Sequence, residues 1–169
     1  FLDIPIDYYA TVNFDGFKDV IDEIGGVNVD VPFDFWEYTD TEPRKKIYFK
    51  EGLMHLNGEQ ALAYARMRKQ DPQGDFGRND RQKQIITSAI DSLISPKNIL
   101  KIDDIASKVS KNLETNIKAS QGISFTTKFK NFSSNDITSL KLTGDGAKDG
   151  NGTYYFKPDE EELNKIKNS

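Results

Sequence analysis

The stretch YYATVNFDGFKDVIDEIGGVNVDV, from Tyr8 to Val31, decides the fold class of this chain. It opens with aromatic and β-branched residues, YYATVNF, which predict a strand. Asp15 then caps a predicted helix whose apolar residues recur at the spacing of one helix face: Phe17, Val20, Ile21 and Ile24. Gly25 and Gly26 end this helix, and VNVDV alternates apolar and polar residues as a half-buried strand does. A strand, a short helix and a second strand indicate a βαβ crossover and therefore an α/β fold.

Helices continue to alternate with strands along the rest of the chain. Pro32 to Lys50 is an irregular, aromatic and charged segment, predicted to be an excursion loop with one short strand at KIYF. Further strands are predicted at DITSLKL and TYYF, around the turn TGDGAKDGNG. More helices are predicted in the segments GEQALAYARMR, GRNDRQKQIITSAIDSLI, NILKIDDIASKVSKNL, SQGISFTTKF and DEEELNKIK.

The composition fits a single globular domain, with 169 residues of which 36% are hydrophobic and 30% charged. The absence of cysteine excludes disulfides and thiolate metal sites, and a lone histidine, His55, argues against a zinc site or a Ser/His/Asp triad. A formal charge of −4 argues against broad nucleic-acid binding but allows a local cationic site for an anion. No apolar run reaches the roughly 20 residues that a membrane helix needs.

Arginine is concentrated in the stretch YARMRKQDPQGDFGRNDRQ, from Tyr64 to Gln82, which holds four of the five arginines. Arg78 and Gln82 continue the apolar stripe of Ile85 and Ile86 toward the start of the second predicted helix, so both are expected to point inward or into a cleft. Free backbone N–H groups at a helix N-terminus attract anions, and the planar guanidinium fork matches a phosphate bidentately. The stretch therefore predicts an anion receptor.

Arg66 and Arg68 need a separate condition, because residues two apart on a helix point about 200° apart. Both reach one ligand only if the helix ends near Arg66, after which a short loop brings all four arginines together. The alternative is that these are surface arginines paired with Asp71, Asp75 and Asp80. Asp75 is either a helix cap and arginine partner or a catalytic residue.

Three segments together resemble the LytR–CpsA–Psr family: DYYATVNFDGFKDVIDEIGGVNVDVP, GLMHLNGEQALAYARMR and GDFGRNDRQ. The resemblance in order and spacing runs from Ile6 to about Leu93, and TYYFKPDEEEL resembles the end of such a domain. The pattern Y-x-R-x-R followed by D-x-x-R-x-x-R-Q carries most of it. Matched by position, the pyrophosphate-binding residues would be Arg66, Arg68, Arg78 and Gln82, with Arg81 in the same motif.

This resemblance implies a phosphotransferase, with Arg78 and Asp75 as its expected catalytic residues. Such an enzyme moves a glycopolymer, such as wall teichoic acid or capsule, from a polyprenyl-pyrophosphate carrier to peptidoglycan, with the help of Mg²⁺. The implied fold is a mixed β-sheet between helices on both faces, with a long apolar pocket for the lipid tail. The implied location is the extracytoplasmic face of the membrane or the cell wall of a Gram-positive bacterium.

The resemblance also makes residues 1–169 the C-terminal part of a single domain of this family. The family's upstream segment carries a membrane helix, the first strands, another arginine and the aspartates that hold Mg²⁺. We therefore expect no metal ligand within this chain, and we expect the chain alone neither to fold nor to turn over. The alternative function is a module that binds a polyprenyl phosphate or an anionic polymer without transferring it. A nucleic-acid regulator is not expected, because the basic residues form no stripe.

Overall fold

The structure, a computed structural model, describes residues 2–117 and 133–168. The chain divides into two compact units, one of residues 8–137 and one of residues 1–7 with 138–169. Its helices are α1 (Phe14–Glu23), α2 (Gly58–Arg66), α3 (Asp75–Leu93), α4 (Pro96–Ile99), α5 (Ile102–Val109) and α6 (Glu160–Lys167). Its strands are β1 (Ala10–Val12), β2 (Val27–Val31), β3 (Phe35–Tyr38), β4 (Lys46–Phe49), β5 (Gly52–Leu56), β6 (Leu113–Thr115), β7 (Gly144–Lys148) and β8 (Tyr154–Pro158).

The N-cap of helix α1 lies two residues before its predicted position. Asn13, not Asp15, is the N-cap, and its side chain accepts a hydrogen bond from the backbone N–H of Gly16 at 2.8 Å. Asp15 lies in the first turn, where its negative charge complements the helix dipole. The predicted end is confirmed, since Gly25 and Gly26 have φ values of 89° and 87° that other residues rarely adopt.

The described strands pair only in antiparallel, two-stranded ladders. β1 pairs with β6 and β2 pairs with β5, so the βαβ crossover expected from Tyr8–Val31 is wrong for these strands. The period-two pattern of β2 marks a strand with one buried face, but it carries no information about which distant segment lies beside it. Helices alternate with strand pairs along the chain, so the α/β class is confirmed.

A β-hairpin replaces the irregular loop expected between Pro32 and Lys50. KIYF is confirmed as β4, and it pairs with β3, which the sequence did not reveal. Phe35 of β3 stacks on Phe49 of β4 with ring centroids 4.6 Å apart, and Phe35 lies 5.8 Å from the ring of Tyr64 in α2. These contacts fix the hairpin against the end of α2, where the arginine stretch begins.

The core of the larger unit lies where α1, α2 and α3 pack against β2 and β5. Its buried residues come from every one of these elements: Ile21, Val27, Val29, Val31, Leu56, Ala61, Tyr64, Met67 and Ile85. Side chains of α3 also accept hydrogen bonds from backbone N–H groups of β2. Ser88 Oγ accepts from the N–H of Asn28 at 2.8 Å, and Gln84 Oε1 accepts from the N–H of Asp30 at 3.0 Å. Helix α3 is therefore held in a fixed register along β2.

The C-terminal part differs from expectation in its boundaries. The long helix predicted from Asn98 is split into α4 and α5, and the predicted strand DITSLKL is not a strand. Strand β7 lies within the predicted turn, whose true reversal is at Asp149, while β8 and α6 are confirmed. The predicted helix SQGISFTTKF falls outside the described residues. None of the described helices has the length and apolar character needed to cross a membrane.

Candidate functional site

Helix α2 ends at Arg66, the position that allows Arg66 and Arg68 to face one ligand. It starts at a capping box, in which Asn57 and Gln60 exchange backbone–side-chain hydrogen bonds of 3.0 Å. Arg66 is its last residue, and Met67 is already extended, with φ −56° and ψ 131°. The condition for Arg66 and Arg68 to face one ligand is therefore met, and both line the same cavity.

Helix α3 begins at Asp75, after Gly74. Gly74 is the N-cap residue, with a φ of 56° that favours glycine, and it makes no side-chain cap hydrogen bond. Asp75 is thus the first helical residue rather than the cap. Its carboxylate lies at the positive end of the helix dipole, which stabilises the negative charge.

Asp75 joins two of the predicted arginines. Its Oδ2 lies 2.8 Å from Arg68 Nη2, and its Oδ1 lies 3.1 Å from Arg78 Nη2, so it forms an ion pair with each. The side chains of Arg68, Arg78 and Asp75 are 60%, 36% and 47% exposed, so these ion pairs are solvent-screened and individually weak. A more highly charged anion can therefore replace this carboxylate between the two guanidiniums.

One hydrogen-bond donor of the Arg78 side chain has no acceptor among the described residues. This donor is the Nε atom, which is buried. A buried guanidinium N–H without an acceptor costs free energy that an incoming phosphate oxygen would recover. The side chain of Arg78 is partly exposed, and its expected position in a cleft stays a prediction.

Arg66 and Arg68 line a cavity of about 710 Å³, whereas Arg78 does not line it. Cationic, aromatic and polar side chains line it: Trp36, Glu37, Tyr38, Thr39, Arg44, Arg66, Arg68, Lys69, Gln70 and Gly74. Sequence reasoning missed two of these cations. Arg44 lies in the hairpin segment, far from the other arginines in the chain, and Lys69 lies within the arginine stretch but was not singled out. Arg66 forms no ion pair within the described ranges, and its guanidinium lies 5.3 Å from the ring of Phe14.

Arg81 has a different environment from that predicted. Its side chain is 1% exposed, its Nε donates to the Tyr64 carbonyl at 3.1 Å, and its Nη atoms donate to Asp71 and to the Met67 carbonyl. These carbonyls belong to the end of α2, where backbone acceptors lack helical partners. The geometry gives no support to Arg81 as a phosphate ligand; Arg81 caps α2 instead.

Gln82 also contacts α2 rather than the core. It is exposed, and its Nε2 donates to the Ala65 carbonyl at 3.4 Å. The buried residues of α3 are Gly77, Arg81 and Ile85, so the inward stripe runs through Arg81 and the expected inward position of Gln82 is wrong. The stripe differs because the first turns of α3 pack against the polar end of α2.

Gly77 makes the buried ion pair sterically feasible. A Cβ atom at this position would overlap the carboxylate of Asp71, the partner of Arg81. The surface-pair alternative is therefore half correct: Asp71 pairs with an arginine in the interior, Asp75 pairs with two near the surface, and Asp80 forms no ion pair in the part of the chain that the structure describes.

Tyr64 lies beneath this junction. Burial raises the pKa of its hydroxyl to about 12, against the opposing effect of the nearby Arg81 guanidinium. The hydroxyl donates toward the Asp30 carbonyl at 3.3 Å and lies 3.4 Å from Gln84 Oε1. Tyr64 therefore remains protonated at neutral pH and ties α2 to β2 and α3.

An apolar groove lies between α1 and α3, with a volume of about 230 Å³. Its lining is aliphatic and aromatic, and includes Val12, Phe17, Val20, Ile86 and Ile90. The groove has the chemistry that a lipid tail requires, but the long lipid pocket stays a prediction. Within residues 2–117 and 133–168, no three His, Asp or Glu side chains are placed together to hold a metal ion.

Comparison with known proteins identifies close relatives. The chain is 58% identical over 168 residues to the polyisoprenyl-teichoic acid–peptidoglycan teichoic acid transferase TagV of Bacillus subtilis (strain 168), over 99% of this chain and 43% of TagV. The crystal structure of B. subtilis TagV has 55% sequence identity and a TM-score of 0.86, over 99% of this chain and 63% of that one. The structure of TagT bound to LIIa-WTA has 28% sequence identity and a TM-score of 0.72, over 99% of this chain and 61% of that one.

The chain thus spans less than two thirds of the length of these relatives. The fold of this chain matches that of TagV, and the family match extends over residues 1–169. On this basis the chain belongs to the LytR_cpsA_psr family.

Proposed function

We propose that the complete protein is a phosphotransferase that moves an anionic glycopolymer from a polyprenyl-pyrophosphate carrier to peptidoglycan. The polymer would be wall teichoic acid or a capsule-like chain. The observation that carries this proposal is the pair of guanidiniums, Arg68 and Arg78, that share one exposed carboxylate beside the cavity lined by Arg66. The relatives named as teichoic acid transferases support the same reaction class.

The proposed chemistry needs charge neutralisation and positioning more than covalent catalysis. The acceptor hydroxyl of peptidoglycan attacks the phosphorus that bears the glycopolymer and gives up its proton to solvent, and the bond from that phosphorus to the bridging oxygen of the pyrophosphate breaks. The polymer is then joined through a phosphodiester, and the carrier leaves as a lipid monophosphate. Arg66, Arg68 and Arg78 would hold the non-bridging oxygens, on which negative charge increases.

Asp75 stays a proposed catalytic residue, because its carboxylate already contacts the guanidiniums that would hold the pyrophosphate. Before the carrier binds, Asp75 keeps Arg68 and Arg78 oriented toward one point. Gln82 and Arg81 act through α2, whose last carbonyls they bind. Mg²⁺ stays a proposed cofactor that would neutralise pyrophosphate charge, with ligands expected outside this chain. The proposed location is the extracytoplasmic face of the membrane.

The alternative is a module that binds the lipid-linked polymer without transferring it. To separate the two, the complete domain, at the length of the TagV crystal structure, is given a lipid-linked glycopolymer and peptidoglycan. We expect Mg²⁺-dependent release of lipid phosphate together with polymer attached to peptidoglycan. Saturable binding of the carrier without release, at any Mg²⁺ concentration, would establish the binding module instead.

A further inference from the structure

The turn of the hairpin between β3 and β4, residues 39–45, brings a further arginine to the cavity. Arg44 lines the cavity together with Arg66 and Arg68. Arg44 Nε lies 3.0 Å from Glu42 Oε1, and the two side chains are 62% and 77% exposed, so this ion pair is solvent-screened. Arg44 can therefore exchange its carboxylate partner for an anion in the cavity, provided that the turn is held in place.

The turn is joined to the core through Asp40. Hydrogen bonds between Thr39 and Lys45 close the turn on itself: the Thr39 N–H donates to the Lys45 carbonyl at 2.9 Å, and the Lys45 N–H donates to Thr39 Oγ1 at 3.0 Å. Lys18 Nζ, in α1, donates to the two carboxylate oxygens of Asp40 at 3.2 and 3.3 Å. In the described ranges, no other residue of the turn forms an ion pair with a helix.

The crossing of α1 and α2 fixes the position of Lys18. Gly58 starts α2 against the backbone of Lys18, which a Cβ atom at position 58 would overlap. Asp22, one turn after Lys18, accepts from the Gly58 N–H at 2.7 Å. The side chains of Lys18 and Asp40 are only 14% and 12% exposed, so water screens their ion pair less than it screens a surface pair.

Three carboxylates surround the Lys18 ammonium group. Its Nζ lies 3.1 Å from Asp15 Oδ1, 3.2 Å from Asp40 Oδ1 and 3.7 Å from Glu59 Oε2. Burial acts to lower the pKa of Lys18, but these carboxylates outweigh burial and raise the pKa above its usual value. Glu59 Oε1 is buried and has no hydrogen-bond partner among the described residues. Without the Lys18 charge, Asp40 and Glu59 would be left as neighbouring carboxylates that repel each other.

We infer that Lys18 is a positioning residue, which holds the hairpin turn through Asp40 and thereby keeps Arg44 at the cavity. This inference rests on the proposed function and adds to it a residue outside the arginine stretch. Lys18 does not line the cavity itself, so it acts through Arg44, whose guanidinium would bind an anionic group of the lipid-linked glycopolymer. Loss of Lys18 should therefore weaken binding of this substrate and leave the chemical step unchanged.

The first test measures transfer by the complete domain, with the lipid-linked glycopolymer as the varied substrate. Lys18→Met removes the charge and keeps a long side chain, so KM should rise about tenfold while kcat stays within about twofold. Lys18→Arg should keep KM within about threefold, because a cation remains between the carboxylates. The matched control is Lys50→Met: Lys50 pairs with Asp34 at the other end of the hairpin, where both side chains are exposed, and its loss should change neither constant.

A double-mutant cycle with Arg44 separates positioning from a general loss of stability. Arg44→Ala alone should raise KM about tenfold, and adding it to Lys18→Met should raise KM no further, because the contact of Arg44 is already lost. Additive effects, about 100-fold in the double variant, would overturn the inference. Asp40→Asn breaks the same link more mildly and should raise KM about fivefold, so it keeps the inference testable if Lys18→Met does not fold.

Hydrogen–deuterium exchange tests the turn without any substrate. The amides of Thr39 and Lys45 should exchange about tenfold faster in Lys18→Met than in the unaltered domain, while the ladder between β3 and β4 stays protected. Adding Asp40→Asn to Lys18→Met removes the repulsion and should slow this exchange again. Unchanged exchange at Thr39 and Lys45 in Lys18→Met would refute the positioning role. If the unaltered domain transfers no polymer, the proposed function fails, and the exchange rates still decide whether Lys18 holds the turn.

Discussion

Single residues in the arginine stretch divide into two physical classes. Arg81 is enclosed, with its donors used on Asp71 and on carbonyls of α2. Arg68 and Arg78 are partly exposed and share an exchangeable carboxylate. Both classes favour arginine over lysine, since only the planar fork can serve several acceptors at fixed angles. The motif R-x-x-R therefore combines Arg78, the proposed ligand-facing residue, with Arg81, a structural residue.

The ligand-facing class can be tested at Arg78. Arg78→Lys keeps the charge but removes the fork and the buried Nε donor, so transfer by the complete domain should fall on the order of 100-fold. The free energy of unfolding should change by less than about 0.5 kcal/mol, because the Asp75 pair is solvent-screened. Transfer is followed by release of lipid phosphate, and stability by urea unfolding.

The matched control for Arg78 is Lys83→Ala, which removes an exposed charge from the same helix outside the cavity. It should leave transfer within about twofold of the unaltered protein. If Arg78→Lys also kept full transfer, a bidentate contact with the pyrophosphate would be ruled out. If both variants lost activity equally, the loss would reflect a general disturbance of α3 rather than the missing guanidinium fork.

At the scale of elements, the junction of α2 and α3 organises the site. The end of α2 separates Arg66 from Arg68, the start of α3 supplies Asp75 and Arg78, and Arg81 binds the two helices together. Sequence reasoning located the first two features, since proline, glycine and helix periodicity are local signals. It did not predict that Arg81 is buried. Only the packing of α2 against α3 shows that Arg81 lies beside the backbone carbonyls at the end of α2.

The structural class can be tested at Arg81. Arg81→Met leaves the buried Asp71 carboxylate unpaired, so the complete domain should lose about 3–5 kcal/mol of unfolding free energy. Adding Asp71→Asn to Arg81→Met removes the orphaned charge and should restore at least about 1 kcal/mol. Urea unfolding measures both changes.

A different result at Arg81 would restore the role that the sequence predicts for it. If Arg81→Met folded with unaltered stability but bound polyprenyl pyrophosphate weakly, the residue would be a phosphate ligand. Lys83→Met provides the exposed control on the same helix, and it should change stability by less than about 0.5 kcal/mol.

At the scale of the whole molecule, local sequence patterns predicted where helices and strands lie better than they predicted which strands pair. The C-terminal end of α1 and the strands β2, β4 and β8 follow from local signals such as glycine and the alternation of apolar and polar residues. The pairing of β1 with β6, about 100 residues away in the chain, depends on long-range contacts that no window of sequence contains. The residues of the candidate site were predicted from their spacing, whereas the part of the cavity lined by Trp36 and Tyr38 depends on the pairing of β3 with β4.

The apolar surface of the larger unit leads to a prediction for the isolated chain. Tyr9, Val12, Phe14 and Ile86 are 48%, 40%, 52% and 58% exposed, and the groove between α1 and α3 is open. Two-stranded ladders are marginally stable without further cover. The relatives contain additional chain. We therefore expect residues 1–169 alone to unfold in urea with a broad transition, and the complete domain to unfold cooperatively.

Ile86→Gln distinguishes a covered groove from an open one. If additional chain packs on Ile86 in the complete domain, the substitution should cost about 1–2 kcal/mol of unfolding free energy there. In residues 1–169 alone, where the side chain faces solvent, it should cost less than about 0.5 kcal/mol. Lys83→Gln, also exposed on α3, should be neutral in both. Equal effects of Ile86→Gln in the two chains, or cooperative unfolding of residues 1–169 alone with binding of a lipid phosphate, would show that this chain is sufficient by itself.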